Sequence, residues 1–329
     1  MEIRKAARQK AKLRIGLSGP AGSGKTYSAI ILAKGIVGDL SKVGIIDTEN
    51  GSADLYSHLG DFNVITLQAP YSPERYVEAI EALEKAGMDL VIIDSASHEW
   101  DGKGGCLEIN DLLANTKFRG NTWAAWSETT PRHQKFIERI TQSKVHMITT
   151  SRAKTDMIQT EDKKIKKVGM KEIQREGFEY ELTLNFTVDR DGHYARASKD
   201  RTGIFIDRDP FVITEETGAT LKEWAEQGVD PAEIEAKLKA ERAAQEAEAK
   251  KKAVKNRIMA LVKELGLDLT QVADADKKQA IMDFIKKTTN DDMTDENLQT
   301  VCDHLSLVAS ERREAAKNAG GTDADAAVL

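Results

Sequence analysis

The fold of this chain is decided by eight consecutive residues, Gly19-Pro20-Ala21-Gly22-Ser23-Gly24-Lys25-Thr26. They match the pattern G-x-x-x-x-G-K-S/T at every position. The apolar segment before them, Leu13 to Ser18, predicts a buried strand, and the segment after them, up to Ile36, predicts a helix. A strand, a glycine-rich loop and a helix in this order are typical of a phosphate-binding loop, and a chance glycine-rich turn is disfavoured.

Each residue type in this loop has a physical task. Glycines let backbone N–H groups turn inward around a phosphate, and the N-terminus of the following helix adds partial positive charge. Lys25 adds a full charge, and the hydroxyl of Thr26 can bind Mg²⁺. The pattern does not separate ATP from other nucleoside triphosphates, and we expect ATP and Mg²⁺ as cofactors. The predicted cofactor-binding residues of this segment are Gly19, Gly22, Ser23, Gly24, Lys25, Thr26 and Tyr27.

The composition limits the classes of protein to which the chain can belong. With 329 residues, it is long enough for one large α/β domain and a smaller unit. Its net charge of −6 argues against a polycation, so a nucleic-acid site would have to be a local basic patch. Cys106 and Cys302 lie far apart, which suits a reducing compartment. No apolar run approaches membrane-spanning length, and we expect a cytoplasmic protein without a membrane partner.

The first two thirds of the chain predict an α/β fold. Pro73 and Pro131 each predict the first turn of a connecting helix. The segments 180–188 and 193–198 flank a turn and predict an antiparallel hairpin at the edge of a sheet. Together they predict a doubly wound, mostly parallel sheet. Four further runs are apolar throughout, as in parallel strands covered on both faces: Val43–Asp47, Asn63–Leu67, Asp89–Asp94 and Val145–Thr150.

The chain divides into five predicted segments. Residues 1–12 form a short basic arm, which is either a solvated tail or a contact to a neighbouring subunit or phosphate backbone. Residues 13–228 form the α/β domain. Residues 229–253, rich in Ala, Glu, Lys and Arg, predict a charged helical linker. Residues 254–315 carry apolar faces at helical spacing and predict a small all-α domain, and 316–329 predict a disordered tail.

Two acidic residues follow predicted strands that lead towards the loop. Asp94 comes after four apolar residues, which is typical of the strand whose carboxylate holds Mg²⁺, so we predict a metal site of Thr26 and Asp94. Glu49 follows the next strand along the chain after the loop, where a carboxylate can orient and deprotonate an attacking water. From the residues alone, a helix-capping role for Glu49 ahead of Gly51 is an equally good interpretation.

The segment Ile45-Ile46-Asp47-Thr48-Glu49 resembles the corresponding part of the RecA-like recombinase core. In that family, the glutamate at this place activates water. The segment Leu90-Val91-Ile92-Ile93-Asp94-Ser95 is similar to the family's Mg²⁺-site strand. The segment 147–152 falls at its sensor strand, where Thr150 replaces the glutamine of bacterial recombinases and can still bond a phosphate. The resemblance implies a RecA-like fold with Glu49 and Lys25 as catalytic residues.

A further segment, Ser198-Lys199-Asp200-Arg201-Thr202-Gly203, resembles the K-N-R-x-G element of RecA-like hexameric helicases and related recombination ATPases. In those proteins the lysine and the arginine reach into the neighbouring subunit's nucleotide site. Two cations beside the γ-phosphate would stabilise the charge of the transition state. The resemblance therefore implies that Lys199 and Arg201 are catalytic in a homo-oligomer, either a ring or a filament. Taken alone, the segment is better interpreted as an exposed basic turn, and it is the presence of the other motifs that favours the catalytic role.

The whole stretch 13–205 is similar to a group of bacteriophage AAA-type ATPases with a RecA-like core, some of them classed as single-strand annealing recombination proteins. That resemblance implies an ATPase that acts on single-stranded DNA by annealing or strand pairing, in the host bacterial cytoplasm. A single-strand-binding protein or another replication or recombination protein is a further implied partner. Besides the loop, the resemblance is carried by 71–76, 93–100, 130–133, 167–171 and 198–203.

Two segments predicted to be irregular, 98–121 and 154–177, fall where RecA-like proteins carry DNA-binding loops. Cations that follow a backbone, with aromatic rings for base stacking, suit single strands, and Trp100, Trp123 and Trp126 flank the first segment. A solvated hairpin and core packing of Trp126 are the alternatives. The candidate DNA-binding residues are Lys103, Lys117, Arg119, Lys163, Lys164, Lys166, Lys167 and Lys171.

Two other interpretations remain at this point. The chain could be an ATP-dependent switch or scaffold that binds a protein partner through its C-terminal helical unit, which resembles no family we can name. A small-molecule kinase fits less well, because it would not explain Glu49 or the pair Lys199 and Arg201. A metal site of His98, Glu99 and Cys106 is rejected because the spacing is poor.

Overall fold

The computed structural model describes residues 6, 8–159, 165–267, 269, 273 and 276–319. The chain forms two compact units, one up to Asp230 and one from Pro231 onward.

Within the described part of the first unit, a sheet of nine strands organises the fold. Its order is β3-β2-β4-β5-β1-β7-β8-β9, with β6 paired to β5. The strands from β3 to β7 in this order are parallel, whereas β8, β9 and β6 are antiparallel to their neighbours. The predicted fold class is therefore confirmed. The strands are β1 Arg14–Gly19, β2 Val43–Asp47, β3 Asn63–Thr66, β4 Leu90–Asp94, β5 His146–Gln159, β6 Ile165–Glu172, β7 Leu184–Val188, β8 Tyr194–Asp200 and β9 Phe211–Val212.

Helices cover both faces of this sheet. Two short 3₁₀ helices, Leu40–Lys42 and Ala53–Leu59, lie in its connections. The α-helices of the first unit are α1 Lys25–Val37, α2 Pro73–Lys85, α3 Ser97–Asp101, α4 Cys106–Thr116, α5 Thr122–Thr141, α6 Phe178–Glu181 and α7 Glu215–Glu226.

The side chains of the central strands alternate between two apolar cores. On β4, Ile92 packs into the core that contains α1 and α7, whereas Val91 and Ile93 pack into the core that contains α2 and α5. All five residues of β4 are buried. This two-sided burial explains why the sequence of the strand is apolar throughout, and it holds the carboxyl ends of the strands in a fixed arrangement.

The helix predicted to start at Pro131 begins nine residues earlier, at Thr122. The side chain of Asn121 caps α5 by accepting a hydrogen bond from the N–H of Ala124 at 3.0 Å. A proline inside a helix removes one backbone hydrogen bond. The helix nevertheless continues past Pro131, because its buried face extends on both sides, from Ala125 to Ile140.

The expected irregular segments are also more regular than predicted. Residues 98–121 contain α3 and α4, and α4 buries Cys106, Asn110 and Ala114. These three residues are spaced four apart, as on one face of a helix. Because they are small or polar, the sequence shows no apolar pattern that would have predicted α4. Residues 154–172 include a hairpin in which β5 continues to Gln159 and pairs with β6.

Two further predictions need correction, one about the start of a strand and one about the basic arm at the N-terminus. The strand predicted from Tyr180 starts at Leu184, because residues Phe178–Glu181 form α6. The described part of the basic arm pairs with its own unit. There, the N–H of Ala11 donates to the carbonyl of Ala225 at 2.9 Å, and the Arg8 guanidinium lies 4.1 Å from the centre of the Trp224 ring.

The described part of the second unit contains three helices, α8 Pro231–Glu264, α9 Lys277–Thr289 and α10 Leu298–Ala319. Its core joins Leu261 of α8, Ile285 of α9 and Leu305 of α10. The predicted boundary between linker and helical domain at 253/254 falls inside α8, and α10 continues beyond 315, where a disordered tail was predicted. Among the described residues, no helix is both long and apolar enough to cross a membrane.

Candidate nucleotide-binding site

The phosphate loop lies at the carboxyl end of β1, in the centre of the sheet. Gly22 and Gly24 have φ angles of 79° and 84°, which are left-handed values that favour glycine. A Cβ atom on Gly19 would approach the carbonyl oxygen of Val188 to 2.4 Å. The loop can therefore adopt this conformation and pack against β7 only because these residues lack a side chain.

Lys25, the first residue of α1, points back into the loop. Its Nζ atom donates to the carbonyl oxygens of Gly19 at 3.0 Å and Pro20 at 2.9 Å. Burial lowers the pKa of Lys25, while the nearby carboxylates of Asp94 and Glu49 oppose that effect. The ammonium group is thus held where a phosphate would contact it.

Asp94 lies between two hydroxyl groups. Its Oδ2 accepts from the Thr26 hydroxyl at 2.6 Å, and its Oδ1 accepts from the Thr150 hydroxyl at 2.5 Å. This convergence follows from the sheet, because β5 lies between β4 and β1, all three strands are parallel, and Thr150 of β5 lies level with the carboxyl ends of the other two. Burial raises the pKa of Asp94, and the two hydroxyls partly offset that effect. A divalent cation beside this carboxylate would remove the cost of its ionisation.

Glu49 follows β2 at the same edge. The backbone N–H groups of the turn are taken by the buried carboxylate of Asp47, which accepts from Glu49 at 2.6 Å and from Ala53 at 3.0 Å. The carboxylate of Glu49 instead faces Arg152, whose Nε and Nη2 atoms lie 3.0 Å and 2.9 Å from its Oε1. Asp47 rather than Glu49 therefore takes the capping role in this turn. The side chain of Glu49 is directed towards the edge of the sheet that carries the phosphate loop.

Arg152 is a site residue that the sequence did not assign. It is the residue paired with Gly19 in the register of β5 and β1, so it lies beside the first residue of the loop. Its charge acts on the pKa of Lys25, as do those of Asp94 and Glu49. Its position two residues after Thr150, just beyond the predicted strand Val145–Thr150, was the available signal.

The comparison with known families agrees with this geometry. A family model described as an AAA domain matches residues 11–207, well over half of the chain. The chain belongs to this AAA domain family. A search of curated proteins found no match. The matched range of the AAA domain includes the loop, Glu49, Asp94 and Arg152, and the family indicates nucleotide binding and hydrolysis.

The ends of β2 and β4 in the AAA domain are joined through Thr48. The N–H of Ser95 donates to the Thr48 hydroxyl at 2.9 Å, and that hydroxyl lies 2.8 Å from Nδ1 of His98. The His98 ring stacks on Tyr71 with a centroid separation of 4.9 Å. Burial lowers the pKa of His98, and Arg152 lowers it further. These contacts fix the strand ends that carry Glu49 and Asp94.

Lys199 and Arg201 lie at the opposite end of the AAA domain's sheet. Asp200 between them pairs with Leu184, which pairs with Ile15 near the start of β1. From Ile15 to Gly19 is four residues of strand, roughly 13 Å. Both cations bond the carbonyl oxygen of Tyr180, Arg201 at 2.8 Å. The structure therefore does not bring these two residues to the loop of the same chain.

The predicted DNA-binding residues are spread over two regions. Lys163 and Lys164 lie outside the described residues, and Lys166 and Lys167 are in β6. Lys171 is exposed and pairs with Lys154 across the hairpin. In the other region Lys103 and Arg119 are exposed, whereas Lys117 pairs with Glu128.

The three tryptophans near this second region differ in exposure. Trp123, at the start of α5, is 86% exposed. Trp100 and Trp126 are half-buried and stack on each other at 5.6 Å. Trp123 is therefore the ring best placed to contact a partner.

A further cluster of buried polar side chains lies in the AAA domain. In it, Glu99 contacts His133 rather than His98. The Glu99 carboxylate is 3.1 Å from the Cys106 thiol and 3.0 Å from Nδ1 of His133. All three residues are buried, and their ligand-type atoms lie within 4.8 Å of one another. Spacing along the chain suggests His98 rather than His133, because the contact between α3 and α5 joins residues 34 positions apart. The three groups satisfy one another by hydrogen bonds.

Proposed function

We propose that this chain is an ATPase that works as a homo-oligomer on single-stranded DNA, in annealing or strand pairing during recombination, and that it is of phage origin. The observation that carries the ATPase part is the convergence of Lys25, Thr26, Asp94 and Glu49 at one edge of the sheet. These four side chains provide a phosphate contact, two Mg²⁺ ligands and a candidate base for water.

The loop fits a triphosphate chemically. Ser23 Oγ is buried and has no hydrogen-bond partner among the described residues, so it can bond a phosphate oxygen. Thr26 and Asp94 would hold Mg²⁺, and bound ATP·Mg²⁺ would supply the γ-phosphoryl group that water attacks. Glu49 would orient that water and accept its proton. Thr150, which bonds Asp94, would contact the metal's water shell or the γ-phosphate.

Assembly is supported by the position of Lys199 and Arg201. They lie at the far end of the sheet, too far from the loop of their own chain to act there. A neighbouring subunit that placed its loop against this end would receive two cations at its γ-phosphate. Hydrolysis would then depend on protein concentration as well as on ATP.

DNA binding is supported by the exposed ring of Trp123 beside exposed Arg119, and by Lys171 on the hairpin. Stacking of one base on an aromatic ring contributes about 1–3 kcal/mol. With a net charge of −6, the chain needs such local cations to attract a polyanion.

The deciding experiment measures the ATPase rate with and without single-stranded DNA over a range of protein concentrations. We expect DNA to raise the rate, and the specific rate to increase with concentration. Arg201→Ala should reduce turnover while ATP binding is retained, and Lys25→Ala should abolish both. Full activity of a dilute monomer, unaffected by DNA, would refute the proposal.

A second candidate is an ATP-dependent switch or scaffold that binds a protein through the C-terminal helices. The separate compactness of the unit from Pro231 favours it. Deletion of residues 231–329 separates the two functions. If the shortened chain keeps its DNA-stimulated ATPase, recombination activity resides in the AAA domain. If DNA never stimulates either chain and a protein partner is lost with the helices, the scaffold role is supported.

A further inference from the structure

The side chain proposed to activate water is held by another residue. Oε1 of Glu49 accepts a hydrogen bond from Nε of Arg152 at 3.0 Å, and Nη2 of Arg152 lies 2.9 Å from the same oxygen in an ion pair. One oxygen of the carboxylate is therefore committed to the guanidinium. A general base must bond the proton that it removes, so this pairing works against the catalytic role of Glu49.

The main chain of Arg152 is fixed while its side chain remains accessible. The N–H of Arg152 donates to Ser97 Oγ at 2.8 Å, and its carbonyl accepts from the N–H of Ile173 at 2.7 Å. The side chains of Arg152 and Glu49 are 42% and 27% exposed. The guanidinium can therefore change partners by rotating its side chain, without movement of β5.

The alternative partner is a phosphate group at the mouth of the loop. Arg152 is paired in register with Gly19, where the loop begins, and its charge is felt by Lys25. A guanidinium bonds phosphate and carboxylate with the same planar fork of donors. A γ-phosphate would bring more negative charge than Glu49 carries, so it would attract Arg152 and repel Glu49.

We propose that Arg152 is a positioning residue that holds Glu49 in the nucleotide-free protein and transfers to the γ-phosphate when a triphosphate binds. Glu49 is then released to meet water only when there is a γ-phosphate to attack. A diphosphate lacks that group and leaves the ion pair in place. The inference rests on the proposed ATPase function and adds a reason why ATP and ADP are distinguished.

The test is a double-mutant cycle on nucleotide binding, which needs no hydrolysis. The full chain is titrated with a non-hydrolysable ATP analogue and with ADP, in the presence of Mg²⁺. The four proteins compared are the natural chain, Glu49→Gln, Arg152→Met and the double variant. Glu49→Gln frees the guanidinium, so the analogue should bind about threefold tighter or more, which is the scale of a partly exposed ion pair. Arg152→Met should weaken the analogue and leave ADP nearly unchanged.

The cycle separates the proposal from simple repulsion between Glu49 and the phosphate. If Glu49→Gln tightens the analogue as much in the Arg152→Met background as in the natural chain, repulsion alone accounts for the effect and the proposal is overturned. It is also overturned if Arg152→Met changes ADP binding as much as analogue binding. The expected result is that Glu49→Gln tightens analogue binding clearly less once Arg152 is absent, because only the direct repulsion between Glu49 and the phosphate is then relieved.

Two controls complete the experiment. Arg132→Met removes another arginine–carboxylate pair, with Glu74, that is similarly exposed, and it should leave both affinities unchanged. Lys25→Ala should abolish binding of both nucleotides. If the natural chain binds neither nucleotide, the proposed function itself fails. If it binds both and the cycle shows no coupling, only the role of Arg152 fails.

Discussion

Arg14 and Arg152 lie at opposite ends of the same pair of strands, and they have different tasks. Arg14 begins β1 and donates to four backbone carbonyls, those of Leu13, Thr141, Ser143 and Val145. It is 6% exposed, and burial lowers its pKa to about 10. Arg152, at the carboxyl end, contacts the single carboxylate of Glu49 and is half-exposed. At the amino end of the strands, the contacts of Arg14 stabilise the fold. At the carboxyl end, Arg152 and Glu49 form an ion pair whose partners can change.

The two arginines differ because the partners of Arg152 can be replaced, whereas those of Arg14 cannot. Backbone carbonyls cannot leave Arg14, so its removal exposes unsatisfied acceptors in a buried place. A half-exposed carboxylate can be replaced by another anion or by water, so the loss of Arg152 costs the fold little. Four substitutions or conditions would sharpen or break this comparison.

The largest effect is expected at the carboxyl end from Glu49→Gln. If Glu49 takes the proton of water, the amide should lower the rate of ATP hydrolysis about 100- to 10,000-fold. The thermal midpoint should change little, because the residue is partly exposed. Steady-state ATPase assays with calorimetry of unfolding check both statements. A variant with near-normal turnover would assign water activation to another group.

At the amino end, Arg14→Met should lower the free energy of unfolding by about 2–4 kcal/mol, because several buried carbonyls lose their donor. The matched change Arg152→Met should cost less than about 1 kcal/mol. Urea unfolding of the two variants measures the difference. Equal costs at the two ends would break the comparison.

A pH effect is expected at the amino end from His146. Its Nδ1 accepts from the N–H of Leu13 at 3.1 Å, and burial, followed by Lys12 and Arg14, lowers its pKa to about 3. The folded protein therefore keeps His146 neutral, whereas the unfolded chain takes up a proton below its usual pKa of 6.5. The stability that this group contributes is complete above pH 6.5 and falls towards pH 3, by up to about 1.4 kcal/mol per pH unit.

The His146→Asn variant provides the control for this pH effect. The amide oxygen of asparagine can accept the N–H of Leu13 but does not titrate in this range. Unfolding free energies measured from pH 7.5 to 4.5 should therefore fall less steeply in the variant. Parallel curves for the two proteins would show that other groups cause the acid sensitivity.

The smallest effect is expected from Asp94→Asn in the nucleotide-free protein. Burial raises the pKa of Asp94, so its ionised form is a cost that is present above the folded pKa and disappears as the pH falls below the unfolded value of 3.8. The amide should therefore stabilise the fold at pH 8 by about 1 kcal/mol, as is common for substitutions at functional sites, and by less as the pH falls below the folded pKa towards 3.8. Loss of Mg²⁺-dependent ATP hydrolysis should accompany the gain. A destabilised variant would mean that the hydroxyl contacts of the carboxylate outweigh its burial.

The sequence predicted well those elements whose signals are local. The strands β1, β2 and β4 were predicted because both of their faces are apolar, and the loop because its pattern specifies each position. The start of α5 was missed because Pro131 is a strong local signal that the buried face overrides. Helix α4 was missed because Cys106, Asn110 and Ala114 form its inner face without large apolar side chains.

By itself, the sequence determined the nucleotide loop, its flanking strand and helix, and the acidic residues at the ends of two further strands. These signals lie within a few residues of each other, and backbone geometry ties each one to its element. Only the tertiary structure decided the ion pair of Arg152 with Glu49, the hydroxyl contacts of Asp94, and the placement of Lys199 and Arg201 at the far end of the sheet. Those relations depend on strand order, which brings together residues 56 to 103 positions apart in the contacts of Asp94 and Glu49. The spacing of residues along the chain does not reveal strand order.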